Sequence, residues 1–281
     1  MMLARALFKC ESSGSLLFTP SFKPPVLMQL KIQSFILSLI LVAASIAVAA
    51  DKPLKALLVT GEGYHDYTAQ KKIISEGISK RLNVDWTIMH HKKPEQCKAD
   101  LSKKGWADGY DVVLYNICHA READTEFIDS VAAVHSAGKP AIALHCTMHS
   151  FHWNVKAKNG DQSDKTWVKF LGVRSRNHGP KAPITVKAIK KDHPVLKGIP
   201  AEWKTPEGEL YNVLEVLPSA TALATGDNGK VKTPQVCIWV NKFGKGRVFS
   251  TTLGHHNSTM STKEYLDLLA NGVRWVTQKK Q

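Results

Sequence analysis

An apolar run that empties into histidines constrains this chain more than any other feature. Ala141-Ile142-Ala143-Leu144 follows a turn made by Gly138 and Pro140, and gives way at once to His145-Cys146-Thr147-Met148-His149-Ser150-Phe151-His152. A short apolar run bounded by turn residues reads as a buried strand. In open α/β sheets the ligand crevice lies beyond the carboxyl ends of the strands. A strand that delivers proton-transferring and metal-binding side chains to that edge is expected to form the floor of a site.

The pattern recurs. Lys55 to Thr60 is a short buried strand running into Gly61-Glu62-Gly63-Tyr64-His65, where two glycines permit a sharp turn. Asp111 to Asn116 is a strand followed by Cys118-His119, and Gly246 to Leu253 is one followed by Gly254-His255-His256. Between them, Ile74, Ile78 and Leu82 mark one helix face and Phe127, Ile128, Val131 and Val134 another, while Asn83 to His90 alternates as a second strand. This β-α-β-β-α-β order predicts a mostly parallel sheet with helices on both faces. The middle is less regular. Trp167, Phe170 and Leu171 suggest a short helix, Arg174 to Pro180 reads as a charged, turn-rich segment, Ile184 to Ile189 alternates as a strand, and Glu209-Leu210-Tyr211 begins another extended stretch. Near the end, Pro234 to Val240 pairs with Gly246 to Leu253 through a glycine-containing hairpin. Ser261 and Glu264 then form a capping pair for a last helix with Leu266, Leu269, Val273 and Val276 buried.

Seven of the twelve histidines thus stand at or just beyond strand ends: His65, His119, His145, His149, His152, His255 and His256. Histidine titrates near neutral pH and is the commonest metal ligand, so general acid–base chemistry and a metal site are both open. His145 and His255 are the foremost catalytic candidates, because two separate strands bring them to one edge. The same pair with Glu209 are the candidate ligands of a divalent metal. Cys146 reads as small buried filler rather than a nucleophile, since its neighbours His145, Thr147 and Met148 are not the small residues of a nucleophile elbow. The helix motif HExxH, the phosphate-binding loop, GxGxxG and GxSxG are all missing from the sequence.

Other features bound the class. Lys31 followed by an apolar run from Phe35 to Ala50, ending in small residues, reads as a secretory signal peptide, with Met28 as its natural start. Residues 1–50 are therefore expected to be a leader and 51–281 one large domain, exported to the periplasm or beyond with no membrane span after cleavage. The formal net charge is +14, but the lysines are scattered, with no arginine-rich or aromatic-interleaved patch for nucleic acid. Cys97, Cys118, Cys146 and Cys237 match neither CxxC metal spacing nor a dense disulfide framework.

Taken in order, several segments resemble the ThuA-like (trehalose utilisation) proteins. They are Leu57 to His65, Gly109-Tyr110-Asp111-Val112-Val113, Gly138 to His145, Phe170-Leu171-Gly172 with His178, His193-Pro194-Val195-Leu196-Lys197-Gly198-Ile199-Pro200, Glu209-Leu210-Tyr211, Gly244-Lys245-Gly246-Arg247-Val248 and Leu253-Gly254-His255. The resemblance runs over about 55–277 and implies a flavodoxin-like, class I glutamine-amidotransferase-like fold. It places His145 where an amidotransferase carries its nucleophilic cysteine, with Cys146 one position too late. His255 falls near the amidotransferase's catalytic histidine, without the His-Pro-Glu motif, so the triad is not intact. The resemblance further implies carbohydrate metabolism: an oxidised (3-keto) sugar or glycoside as substrate and a sugar oxidoreductase as functional partner. In that frame His145 and His255 are acid and base or metal ligands, and His65, His178 and Glu209 bind sugar hydroxyls or complete a metal shell. A non-catalytic sugar-binding module and a cysteine-dependent amidohydrolase are the alternatives.

Overall fold

In the computed structural model, residues 52–278 are described, apart from 62 and 158. The leader and its Met28 start lie outside them. Among the described residues, eleven strands and six α-helices follow one another: β1 (Leu54–Gly61), α1 (Tyr67–Ser79), β2 (Val84–His91), α2 (Pro94–Leu101), β3 (Val112–Ile117), α3 (Thr125–Ser136), β4 (Ala141–Leu144), α4 (Thr166–Leu171), β5 (Val173–Lys181), β6 (Thr185–Ala188), β7 (Glu202–Lys204), β8 (Glu209–Val216), β9 (Ala220–Asp227), β10 (Gln235–Phe243), β11 (Gly246–Thr251), α5 (Asn257–Met260) and α6 (Lys263–Thr277). Nine strands form one sheet in the order β2-β1-β3-β4-β11-β10-β9-β6-β7. From β2 to β11 the pairing is parallel, and from β11 onward antiparallel. β5 and β8 pair antiparallel as a separate ribbon.

The sequence dictates the layers directly. On β1, Ala56 and Leu58 face one side, with Val112 and Leu114 of β3 and Ile142 and Leu144 of β4. They bury Ile74 and Ile78 of α1 and Leu268, Leu269, Val273 and Val276 of α6. Leu57 and Val59 face the other side with Val113, Tyr115, Ala141 and Ala143, under Leu101 of α2, Phe127 and Val131 of α3 and Phe170 of α4. Alternation with both parities apolar is what a sheet covered on two faces requires. Burial of each such leucine or valine contributes up to about 1.5–3 kcal/mol.

Several expectations are corrected. Helix α2, between β2 and β3, is absent from the sequence reading: only Cys97 and Leu101 on it are buried, too few to give a periodic signal. Arg174 to Pro180 is not a turn but part of β5, whose polar composition reflects a largely exposed, bulged strand. Helix α6 is capped by Thr262, not Ser261, its hydroxyl accepting from the Tyr265 N–H at 3.3 Å. Cys146 is not inert filler. It forms a disulfide with Cys118, tying the turn after β4 to the end of β3. Gly61 has the one turn geometry here that decides where the site lies: at φ +119° it closes β1, and a Cβ there would sit 2.0 Å from the His91 carbonyl oxygen. None of the helices among the described residues is long and apolar enough to cross a membrane.

Candidate functional site

Three strands of the parallel half release their chains at the same edge, and each release ends in a histidine. His65 lies in the turn between β1 and α1, His145 opens the 3-10 turn His145–His149 directly after β4, and His255 follows β11. The rings converge: centroids are 4.8 Å apart for His65 and His145, 4.7 Å for His65 and His255, and 5.3 Å for His145 and His255. One nitrogen from each lies within 4.8 Å of the others.

His145 is held most firmly. It is buried, and its backbone sits at φ +43°, in the left-handed region that side chains other than glycine rarely enter. The chain thus makes a sharp elbow at His145 without small neighbours, the histidine itself taking the strained position. Its Nδ1–H donates to the Thr252 carbonyl at 2.6 Å, which fixes the ring against β11. The His255 loop is fixed by Gln70, whose Nε2 donates to the His255 carbonyl at 3.2 Å and whose Oε1 accepts from Asn116 at 3.0 Å.

The β5–β8 ribbon supplies the other side. Glu209 and Tyr211 are two apart on β8, so both face the histidines. Glu209, only 6% exposed, lies 3.5 Å from His145 Nε2, 3.5 Å from His255 Nε2 and 3.4 Å from His178 Nδ1. The Tyr211 hydroxyl is 3.4 Å from His145 Nε2. His178, across from Tyr211 on β5, is half exposed and donates from Nδ1 to the Gly179 carbonyl at 3.0 Å.

Burial is the main force on the titrating groups. It pushes His65 down to about 2, helped by the neighbouring His145 and His255. His255 falls to about 4, for burial and for the His145 ring beside it. Burial alone would raise the Glu209 carboxyl, but the His145, His255 and His178 rings that face it bring it to about 2. The site therefore holds an ionised carboxylate beside His65 and His255 rings that burial keeps from taking up a proton.

All five sequence-predicted site residues, His65, His145, His178, Glu209 and His255, meet in this cluster. The remaining strand-end histidines do not. His119 stacks on Phe151 at 5.5 Å, His149 lies flat on Tyr211 at 4.0 Å, and His152 Nε2 bonds the Met148 carbonyl at 2.8 Å. His256 packs against the His255 ring at 4.2 Å. Sequence reasoning missed Tyr211 and the Thr252 carbonyl. The two-residue spacing from Glu209 was the available signal for Tyr211; Thr252 acts through its backbone and leaves none. Among the described residues, two groups bring potential ligand atoms close enough to hold a metal ion, His65–His145–His255 and His65–Cys118–Cys146, and the second has its sulfurs bonded to each other. That disulfide also leaves Cys146 without the free thiol a cysteine-dependent amidohydrolase needs.

A family model described as trehalose utilisation, ThuA, matches residues 55–276. The chain belongs to the ThuA family. Two solved ThuA-like proteins share its fold. That of Parabacteroides merdae is 19% identical at a TM-score of 0.62, over 80% of this chain and 90% of that one. That of Bacteroides uniformis is 19% identical at 0.62, over 81% and 93%. A Thermoplasma acidophilum protein named for GMP synthase is 15% identical at 0.51, over 79% and 93%, which relates this ThuA chain to the glutamine-amidotransferase-like fold. The curated proteins contain no match to it. In this ThuA protein the elbow after β4 carries an imidazole, not a thiol.

Proposed function

We propose that this ThuA-family protein is an exported enzyme that moves a proton at the carbon beside the ketone of an oxidised (3-keto) sugar or glycoside. The observation that carries this is the convergence of His65, His145 and His255 on Glu209 at the carboxyl edge of the sheet. A ketone acidifies its α-proton, so isomerisation or elimination needs only an electrophile at the carbonyl oxygen and a positioned base. The imidazole trio, with His145 and His255 at its centre, stands on the side where the carbonyl oxygen would be polarised, by a ring N–H of His255 or by a divalent metal that the rings hold. Glu209 and His178 supply the proton-carrying side: the Gly179 carbonyl takes up the His178 Nδ1–H, 3.4 Å from the carboxylate, which leaves Nε2 as the acceptor. Half exposure of His178 gives the proton an exit to solvent. The nearby Tyr64, 74% exposed, offers the flat apolar surface that a sugar ring stacks on. A sugar oxidoreductase is the class of partner that produces such a substrate.

The test is turnover and α-carbon deuterium exchange on 3-keto-glycosides, followed by nuclear magnetic resonance. Glu209→Gln and His145→Ala are expected to lower kcat at least about a hundredfold, the usual worth of a positioned acid–base group. Full activity in both His145→Ala and His255→Ala overturns the assignment. Saturable binding with no turnover in the unaltered protein would make it a sugar-binding module instead.

A further inference from the structure

We infer that His65, His145 and His255 bind one divalent transition-metal ion, with Glu209 facing it as the anionic oxygen donor. The hydrogen bond behind His145 decides the matter. The Thr252 carbonyl can only accept, so Nδ1 carries the hydrogen, and in the neutral ring Nε2 is left with a lone pair. That lone pair faces the Glu209 carboxylate across 3.5 Å, with the Tyr211 hydroxyl 3.4 Å away as a long-range donor. Two acceptors in contact in a buried site repel; a cation between them turns the repulsion into two bonds. Metal-ligating histidines characteristically donate their second N–H to a backbone carbonyl, which fixes tautomer and ring direction as here.

The other two rings agree. Neither nitrogen of His65 has a hydrogen-bond partner among the described residues, and neither has Nδ1 of His255, although all three atoms are buried. Buried polar atoms without partners are uncommon and call for an explanation, and an ion bound by all three rings supplies one here. The nitrogens lie within 4.8 Å of one another. An ion bound at about 2.0–2.1 Å holds nitrogens about 3.3 Å apart, so the rings must close by at most about 1.5 Å. His65 and His255 are only part-buried and can rotate to do so. Three imidazoles and a carboxylate suit zinc, cobalt or ferrous iron over magnesium or calcium. The ion deepens the proposed reaction, on which its catalytic meaning rests: it would polarise the ketone oxygen, and the imidazoles would act by holding it. Its presence is measurable without any sugar.

The experiment strips the purified full chain with a chelator, then titrates Zn2+ by calorimetry and Co2+ by visible absorption. One ion per chain is expected, with a ligand-field band of nitrogen and oxygen coordination and no thiolate charge-transfer band. His65→Ala and His255→Ala, chosen because neither ring is fully buried, are expected to weaken binding at least about a hundredfold while melting behaviour of the metal-free proteins stays close to that of the unaltered chain. No uptake overturns the inference, as does unchanged affinity in both variants. A thiolate band, or loss of binding in Cys118→Ser in place of the histidine variants, would move the ion to the His65–Cys118–Cys146 group and equally overturn it. Metal binding without keto-sugar turnover would leave this inference standing and remove the reaction; turnover in a protein that takes up no metal would do the reverse.

Discussion

Replacing His145 by glycine should harm the fold less than replacing it by alanine. Both variants delete the same imidazole, the same bond to Thr252 and the same packing against Tyr211, so those losses cancel in the comparison. What remains is the backbone at φ +43°. A side-chain-bearing residue in the left-handed region costs about 1–2 kcal/mol, which glycine does not incur. Against this, glycine loses about 0.5–1 kcal/mol more conformational freedom on folding. The balance favours glycine by about 0.5–1 kcal/mol, the reverse of the order seen at ordinary positions. For a domain of this size that is a difference in Tm of about 1–4 °C. Urea titration of both variants, followed by tryptophan fluorescence, measures it with the uncertainty of a single slope. An alanine variant as stable as the glycine variant, or more so, would show that position 145 is unstrained. The elbow would then not be what presents the ring to the site. The strain matters because distorted backbone persists where the surrounding structure over-determines it, often at functional sites. Here the over-determination is specific: the parallel pairing of Leu144 with Thr251, the Thr252 carbonyl and the Cys118–Cys146 bond all act within two residues of His145.

Two further outcomes follow from groups away from the histidine trio. Burial brings His135 down to about 4 in the fold, where its Nδ1–H donates to the Lys139 carbonyl at 2.9 Å and its Nε2 accepts from the Tyr115 hydroxyl at 2.8 Å. The unfolded chain takes up this proton first, near 6.5, so the stability is complete above that pH and is lost as pH falls toward 4, by about 2–3 kcal/mol at pH 4.5. Urea midpoints at pH 7 and 4.5 should converge in His135→Gln relative to the unaltered protein, and equal pH slopes in the two would refute this. The Cys118–Cys146 bond closes a loop of sequence separation 28, so reduction or Cys118→Ala should remove about 3–4 kcal/mol by chain entropy. A midpoint indifferent to reductant would refute that.

How much of this was legible depended on whether each contact is local. The strands delivering His65, His145 and His255 are short apolar runs that stop at glycines or histidines, and each could be read within ten residues. Their shared direction follows from the β-α-β order, so the meeting of the three rings was foreseeable. The ribbon was not. β5 reads as a turn because most of its side chains are exposed, and its pairing with β8 carries register shifts that no simple alternation predicts. Strand β9, built of alanine, threonine and glycine around Leu223, has too little β-branched or aromatic content to announce itself. Helix α2 had two buried residues and no periodic face. The disulfide joins two strand ends whose spacing in sequence says nothing about their adjacency in the sheet.

These two grades of legibility coincide with two halves of the site. The parallel half brings three imidazoles to one point and holds them from behind: Thr252 fixes His145, and Gln70 with Asn116 fixes the His255 loop. Alone it would offer imidazoles to bulk water with no counter-charge. The β5–β8 ribbon carries the anion, and Glu209, only 6% exposed, is kept ionised by His145 and His255 opposite together with His178 of β5. Each half therefore creates the electrostatic need that the other meets. Chemistry here should be more sensitive to the distance between ribbon and sheet than to either part's internal stability. Tyr211 sets that distance, since its ring stacks on His149 at 4.0 Å while its hydroxyl reaches His145, joining the ribbon to both ends of the His145–His149 turn.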